Sequence, residues 1–216
     1  FAAAITLVAI VIHRKHLPSR PLTHNSVLIW LALFVAWLGV QSLWAMNYDT
    51  HTELLSYYAK YLIVAGLIYK SITDEDHLKM FLWVHLAGCF YFGWNAFFMY
   101  DGGRFEQFGG PGFSGANQIG LQAVAGTLAA AGLFLAGRFW ERVAVTLLVP
   151  FVINGLITTV SRSSFLALLV GGVVFVILSP SKYRKPAIAL GIVALIGFAS
   201  LAHDQFWNRM STIQYA

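Results

Sequence analysis

The 216 residues are 58% hydrophobic and only 11% charged, with a mean hydropathy of +0.69. An ordinary soluble domain carries about 25% charged residues, so this composition excludes that class. The net charge of +5 tracks the loops between apolar runs and gives no reason to expect a nucleic-acid partner.

Eight apolar segments follow one another: Phe1–Ile12, Val27–Ala45, Leu54–Tyr69, Leu78–Tyr100, Ala116–Ala136, Val143–Val160, Phe165–Leu178 and Ala187–Ala202. Several approach the roughly 20 apolar residues that cross a hydrocarbon core, which predicts an all-α, polytopic transmembrane bundle. The whole of 1–216 reads as a single transmembrane domain. The first segment has no basic stretch before it and does not read as a signal peptide. It starts abruptly, and the tail "AHDQFWNRMSTIQYA" stops just past a membrane exit. The expectation is a piece of a longer protein, with a large outer loop and further helices beyond it.

Basic residues set the expected orientation. Arg14, Lys15, Arg20, Lys70, Lys79, Arg138, Arg142, Lys182, Arg184 and Lys185 lie in or beside alternate loops, which the positive-inside rule assigns to the cytoplasm. Arg104, Arg162 and Arg209 fall on the outer side, and Lys60 lies within the third segment.

Other signals carry little chemistry. The single cysteine, Cys89, allows no intrachain disulfide and no cysteine-based metal site. The seven histidines show no metal-binding spacing, so neither a metal nor another cofactor is expected. Thr73 and Asp76 have the spacing of a capping box for the fourth helix.

Three outer features do carry chemistry. The loop "GGRFEQFGGPGFSGANQIG" combines Arg104 with glycines whose backbone N–H groups can converge on an anion. Ser114 or Asn117 is placed to cap the fifth helix and leave its positive dipole end at the outer face. In "TTVSRSSF", Arg162 is held in a tight turn near the hydrocarbon boundary, with Ser161 or Ser163 placed to cap the seventh helix. Lys60 lies ~10 Å along the third helix from its outer end, at 1.5 Å per residue, with Tyr57 and Tyr61 on its face. Each has a structural alternative: a flexible turn, an ordinary cap, or a cation that snorkels to the interface. Together they predict one outward pocket, made by Lys60, Arg104, Arg162 and Asn117, for a multiply charged lipid anion. Close helix contacts are expected at Gly126, Gly132, Gly171, Gly172, Gly191 and Gly197.

The order "GRFEQFGGPGFSGANQIG", an apolar helix pair, "TTVSRSSFLALLVGG" and then "FWNRMSTIQ" resembles the O-antigen ligase and polymerase superfamily. "SLWAMN" and "SYYAKYL" are similar to its exosortase-associated O-glycosylation ligase branch. The resemblance implies a GT-C-like fold in a bacterial inner (cytoplasmic) membrane, and a metal-free glycosyltransferase of lipopolysaccharide or related biosynthesis. Its donor would be a glycan on undecaprenyl diphosphate, transferred to an acceptor on the periplasmic side. By matched position, Lys60, Arg104 and Arg162 would hold the diphosphate, with Asn117 orienting the loop or touching a phosphate. The family's general base comes from the large periplasmic loop; His203 precedes that region and is not assigned the role.

Two other classes use the same features. A non-catalytic integral membrane subunit of a larger assembly would use the arginines to bind structural lipid. A transporter of a lipid-linked anion would need paired broken helices. Pro150 with Asn154 and Gly155 is the one plausible break in the sequence, and it has no counterpart in another segment.

Overall fold

The computed structural model describes residues 21–106, 115–202 and 204–211. The segment Phe1–Ile12, the basic residues Arg14, Lys15 and Arg20, most of the glycine-rich loop with Ser114, and His203 lie outside these residues. A short 3₁₀ turn, Leu22–His24, precedes eight helices: α1 Ser26–Gln41, α2 Tyr48–Ser71, α3 Glu75–Met99, α4 Ala116–Ala136, α5 Phe139–Thr158, α6 Arg162–Leu178, α7 Ser181–Leu201 and α8 Asp204–Ser211. No strand occurs among the described residues.

Helix starts follow local chemistry. Asn25 caps α1 and Asn47 caps α2 through their side-chain oxygens. The expected Thr73–Asp76 box is replaced at α3: Asp74 Oδ1 accepts the His77 N–H at 2.9 Å. That bond holds the Asp74 carboxyl below the usual carboxylate range. Asp74 wins because it stands immediately before the first helical residue, the position a cap requires.

α4, α5 and α7 are long and apolar enough to cross a membrane, and α1 and α6 are shorter apolar helices. Many large apolar side chains are exposed, among them Trp30, Trp37, Val170, Ile177 and Leu178. Such a surface suits hydrocarbon and is costly in water.

The chain divides into two compact units, Phe1–Leu78 and Lys79–Ala216. In the first, α1 packs on α2: Phe34 meets Tyr58 edge-on at 5.1 Å, and His51 Nε2 hydrogen-bonds Leu38 O at 2.8 Å. In the second, α4 packs against α5, α6 and α7. Its sequence is rich in Ala and Gly, which lets neighbouring backbones approach from several sides.

Close approach is concentrated at particular glycines. A Cβ on Gly93 of α3 would collide with the Phe151 backbone of α5, and one on Gly120 of α4 would collide with Ser164 of α6. Gly126 faces Cys89, and Gly171 faces Leu128, as tight sites. By contrast, Gly132, Gly172, Gly191 and Gly197 have nothing within 4 Å, contrary to the packing role expected of them. Composition alone does not say which side of a helix meets a neighbour. The core itself gathers Leu86, Val124, Leu133, Val152, Leu156 and Phe198, and Phe206 of α8 packs back onto Phe165 and Phe198.

Two- and three-residue connections make α4 to α7 alternate in direction. One end of this unit carries the C-terminus of α4 and the start of α5, with Lys79 of α3 paired to Glu141. Gly132 and Ala136 there share a groove with Leu178 and Tyr183, so the α6–α7 turn lies at the same end. The opposite end holds the start of α4, the end of α5 and the start of α6. α5 is continuous through Pro150, so the suspected break does not form.

Candidate functional site

At that opposite end, the glycine-rich loop is pinned near its start. Phe105 donates its N–H to Thr158 O at 2.9 Å and buries its ring with Ala96 and Ile119. This anchor presents Arg104 to the end of α5. Arg104 Nε donates to Thr159 O at 3.4 Å, and Nη2 donates to Asn117 Oδ1 at 3.4 Å. Nη1 lies 3.9 Å from Glu106 Oε2, and both side chains are partly exposed.

Asn117 does not cap α4. Gly115 takes the cap position, and its N–H is satisfied by Gln118 Oε1 at 2.8 Å. Asn117 sits within the first helical turn, where its side chain projects sideways toward neighbouring elements. There its Oδ1 also accepts from Ser161 Oγ at 2.9 Å. One amide oxygen therefore joins the Arg104 guanidinium to the turn that bears Arg162.

That turn is itself closely bonded. Ser161 caps α6 by accepting the Ser164 N–H, as expected, and Ser164 Oγ donates to Ser161 Oγ at 2.8 Å. Ser163 Oγ lies 3.1 Å from Ser161 Oγ. Thr159, Ser161 and Ser164 are almost wholly buried. Between them, Val160 adopts φ +47, a left-handed conformation that β-branched residues avoid. Such strain costs on the order of 1–3 kcal/mol and persists only where surrounding contacts impose it. Here they include Val160 N–H to Ile157 O and the Arg104 bond to Thr159 O.

Arg162 is half-buried as the first residue of α6, directly after Ser161. The fold thus brings Arg104, Asn117 and the Arg162 turn to one end of one unit. Lys60 belongs to the other unit. It is exposed on α2, with Nζ 5.3 Å from the centre of the Tyr57 ring.

Chemically, this end offers a guanidinium held by two of its donors, a second arginine at a helix start, and a neutral amide that joins the first to Ser161 beside the second. Sequence reasoning passed over Ser161 as more than a cap, and missed Glu106, Phe105 and Gly120. The hydroxyl-rich run "TTVSRSS" was the available signal. It also passed over a second polar group: Gln122 Nε2 lies 3.2 Å from His85 Nδ1 between α4 and α3, and Cys89 Sγ donates to Gln122 O at 3.3 Å. No group of three or more His, Cys, Asp or Glu that could hold a metal occurs among the described residues. No family model, curated protein or solved structure matches the chain.

Proposed function

We propose that the chain is the membrane part of an O-antigen ligase-like glycosyltransferase, a GT-C-type bundle with eight spans in a bacterial inner membrane. It would transfer a glycan from a polyprenyl diphosphate carrier to an acceptor on the periplasmic side. The observation that carries this reading is the Arg104–Asn117–Ser161 connection. It ties two arginine-bearing segments together at the end of apolar helices, where a lipid anion's charged group would lie. In such a reaction the acceptor oxygen forms a bond to the anomeric carbon as the carbon–oxygen bond to phosphate breaks. The electron pair leaves on the lipid diphosphate, and fixed cations that stabilise this charge lower the barrier. Arg104 and Arg162 are assigned that role. Asn117 is assigned to orienting Arg104. The general base is assigned to the large periplasmic loop.

The test uses the full-length protein in its native host membrane. Arg162→Ala is expected to abolish glycan transfer with expression intact. Arg162→Lys is expected to rescue it poorly, because lysine lacks the fork that grips two phosphate oxygens. Full transfer by Arg162→Ala would reject the reading.

One observation favours a second reading. The Arg104 and Phe105 bonds to Thr159 O and Thr158 O also satisfy the carbonyl end of α5, as a purely structural cap would. On that reading the chain is a non-catalytic membrane subunit. Unchanged transfer in both Arg104→Ala and Arg162→Ala would support it.

A further inference from the structure

Arg104 does not present all of its donors to a ligand. Nε and Nη2 are engaged by Thr159 O and Asn117 Oδ1, and the side chain is 30% exposed. Nη1 lies 3.9 Å from a carboxylate of the same segment, Glu106 Oε2. Phe105 between them is buried and pinned by its N–H bond to Thr158 O, so the Arg104–Glu106 pair is carried on a fixed support. The Glu106 side chain is 41% exposed. A phosphate oxygen that binds Nη1 competes with this carboxylate.

We propose that Glu106 is a built-in counter-anion beside Nη1 of Arg104, one that a diphosphate displaces on binding and that returns as the diphosphate leaves. This rests on the reading of the site as a diphosphate site. It assigns Glu106 to regulating that site's affinity, and the group displacing it to the diphosphate class. A leaving group held by fixed cations binds tightly enough to slow its own release. An internal anion of the same sign weakens that hold without removing the cations that stabilise the departing charge.

The full-length protein in detergent is titrated with inorganic pyrophosphate and, separately, with farnesyl diphosphate, which carries the same charged group on a prenyl tail. Glu106→Gln is expected to bind pyrophosphate about two- to five-fold more tightly, the range an exposed ion pair supports. Asp101→Asn removes the same charge from the same loop but not from the guanidinium, since Asp101 Oδ1 accepts the Gly103 N–H. It is expected to stay within roughly 1.5-fold of the unaltered protein, because solvent and salt screen more distant exposed charges. Tighter binding of farnesyl diphosphate than of pyrophosphate, with the same Glu106→Gln gain, would assign the site to a lipid diphosphate. The same gain with equal affinities would assign it to free diphosphate.

Equal or weaker binding by Glu106→Gln overturns the proposal, as does an equal gain in Asp101→Asn. If the unaltered protein binds neither probe, or if Arg104→Ala with Arg162→Ala leaves binding intact, the diphosphate reading falls and Glu106's role falls with it.

Discussion

The two ends of the unit Lys79–Ala216 use the same elementary chemistry in different ways. At the basic end, Arg142 Nε donates to Phe134 O at 3.0 Å, and Arg184 Nη2 donates to Ile177 O at 3.2 Å. Each satisfies carbonyls left open at a helix C-terminus, and each does so by itself. At the other end, Arg104 satisfies a carbonyl of α5 in the same manner, but Asn117 then joins it to Ser161 and the hydroxyls behind it. Beside the single Lys79–Glu141 pair, the arginines at the first end are separate caps, whereas Arg104 at the second belongs to a connected network. A network fixes the relative positions of its members, as a site for a multiply charged ligand requires, whereas separate caps only finish helices.

The comparison can be broken most strongly with glycine. Gly120→Ala forces a methyl group into Ser164 and Thr159, so a loss of roughly 2–3 kcal/mol is expected from overpacking. Gly132→Ala, toward the basic end, meets nothing within 4 Å and is expected to be neutral or to gain about 0.5 kcal/mol from helix propensity. Thermal unfolding in detergent measures both, and equal Tm values would remove the distinction.

Valine gives the next largest contrast. Val145 and Val160 are both 3% exposed, but only Val160 has a positive φ. Glycine relieves strain at Val160 and adds backbone freedom to the unfolded state at both sites. Val145→Gly is therefore expected to be more destabilising than Val160→Gly by about 1–2 kcal/mol. The same unfolding curves show it, and a costlier Val160→Gly would mean that the turn is not strained.

A smaller difference separates the polar groups themselves. Ser161→Ala removes a buried cap and the bond to Asn117, for an expected ~1–2 kcal/mol. Arg142→Ala removes one cation from a helix end, for an expected ~0.3–1 kcal/mol. If Ser161→Ala cost no more than Arg142→Ala, the hydroxyl cluster would be no network.

The smallest effect is one of pH. Because the folded Asp74 carboxyl is held below its usual range, its contribution is present above the unfolded value and is lost as pH falls through the folded one. Asp74→Asn is expected to lower Tm slightly at neutral pH and to flatten its decline on acidification. An unchanged acid slope would exclude Asp74 as a contributor.

By itself, the sequence determined the helical class and most of the helix list. Long apolar runs can satisfy their backbone only internally, and the segment Ala116–Ala136 coincides with α4 to the residue. The alternation that puts Arg104 and Arg162 at one end was also legible, because short connections between rod-like helices leave few options. The starts of α2, α5 and α7 lie ahead of the hydropathy bounds: Tyr48, Phe139 and Ser181 open helices whose first turns carry charged residues. Hydropathy is blind to a polar first turn.

What tertiary structure decided was who touches whom. Asn117 has the composition of a cap and became a bridge, since helix rotation pointed it at Arg104 and Ser161. Of the glycines, those at true crossings were set by helix packing angles, which no single helix encodes. The strain at Val160 sits in a turn that long-range contacts, such as Arg104 to Thr159 O, tie to a distant part of the chain. Local physics determines each helix, and packing selects the few residues that meet.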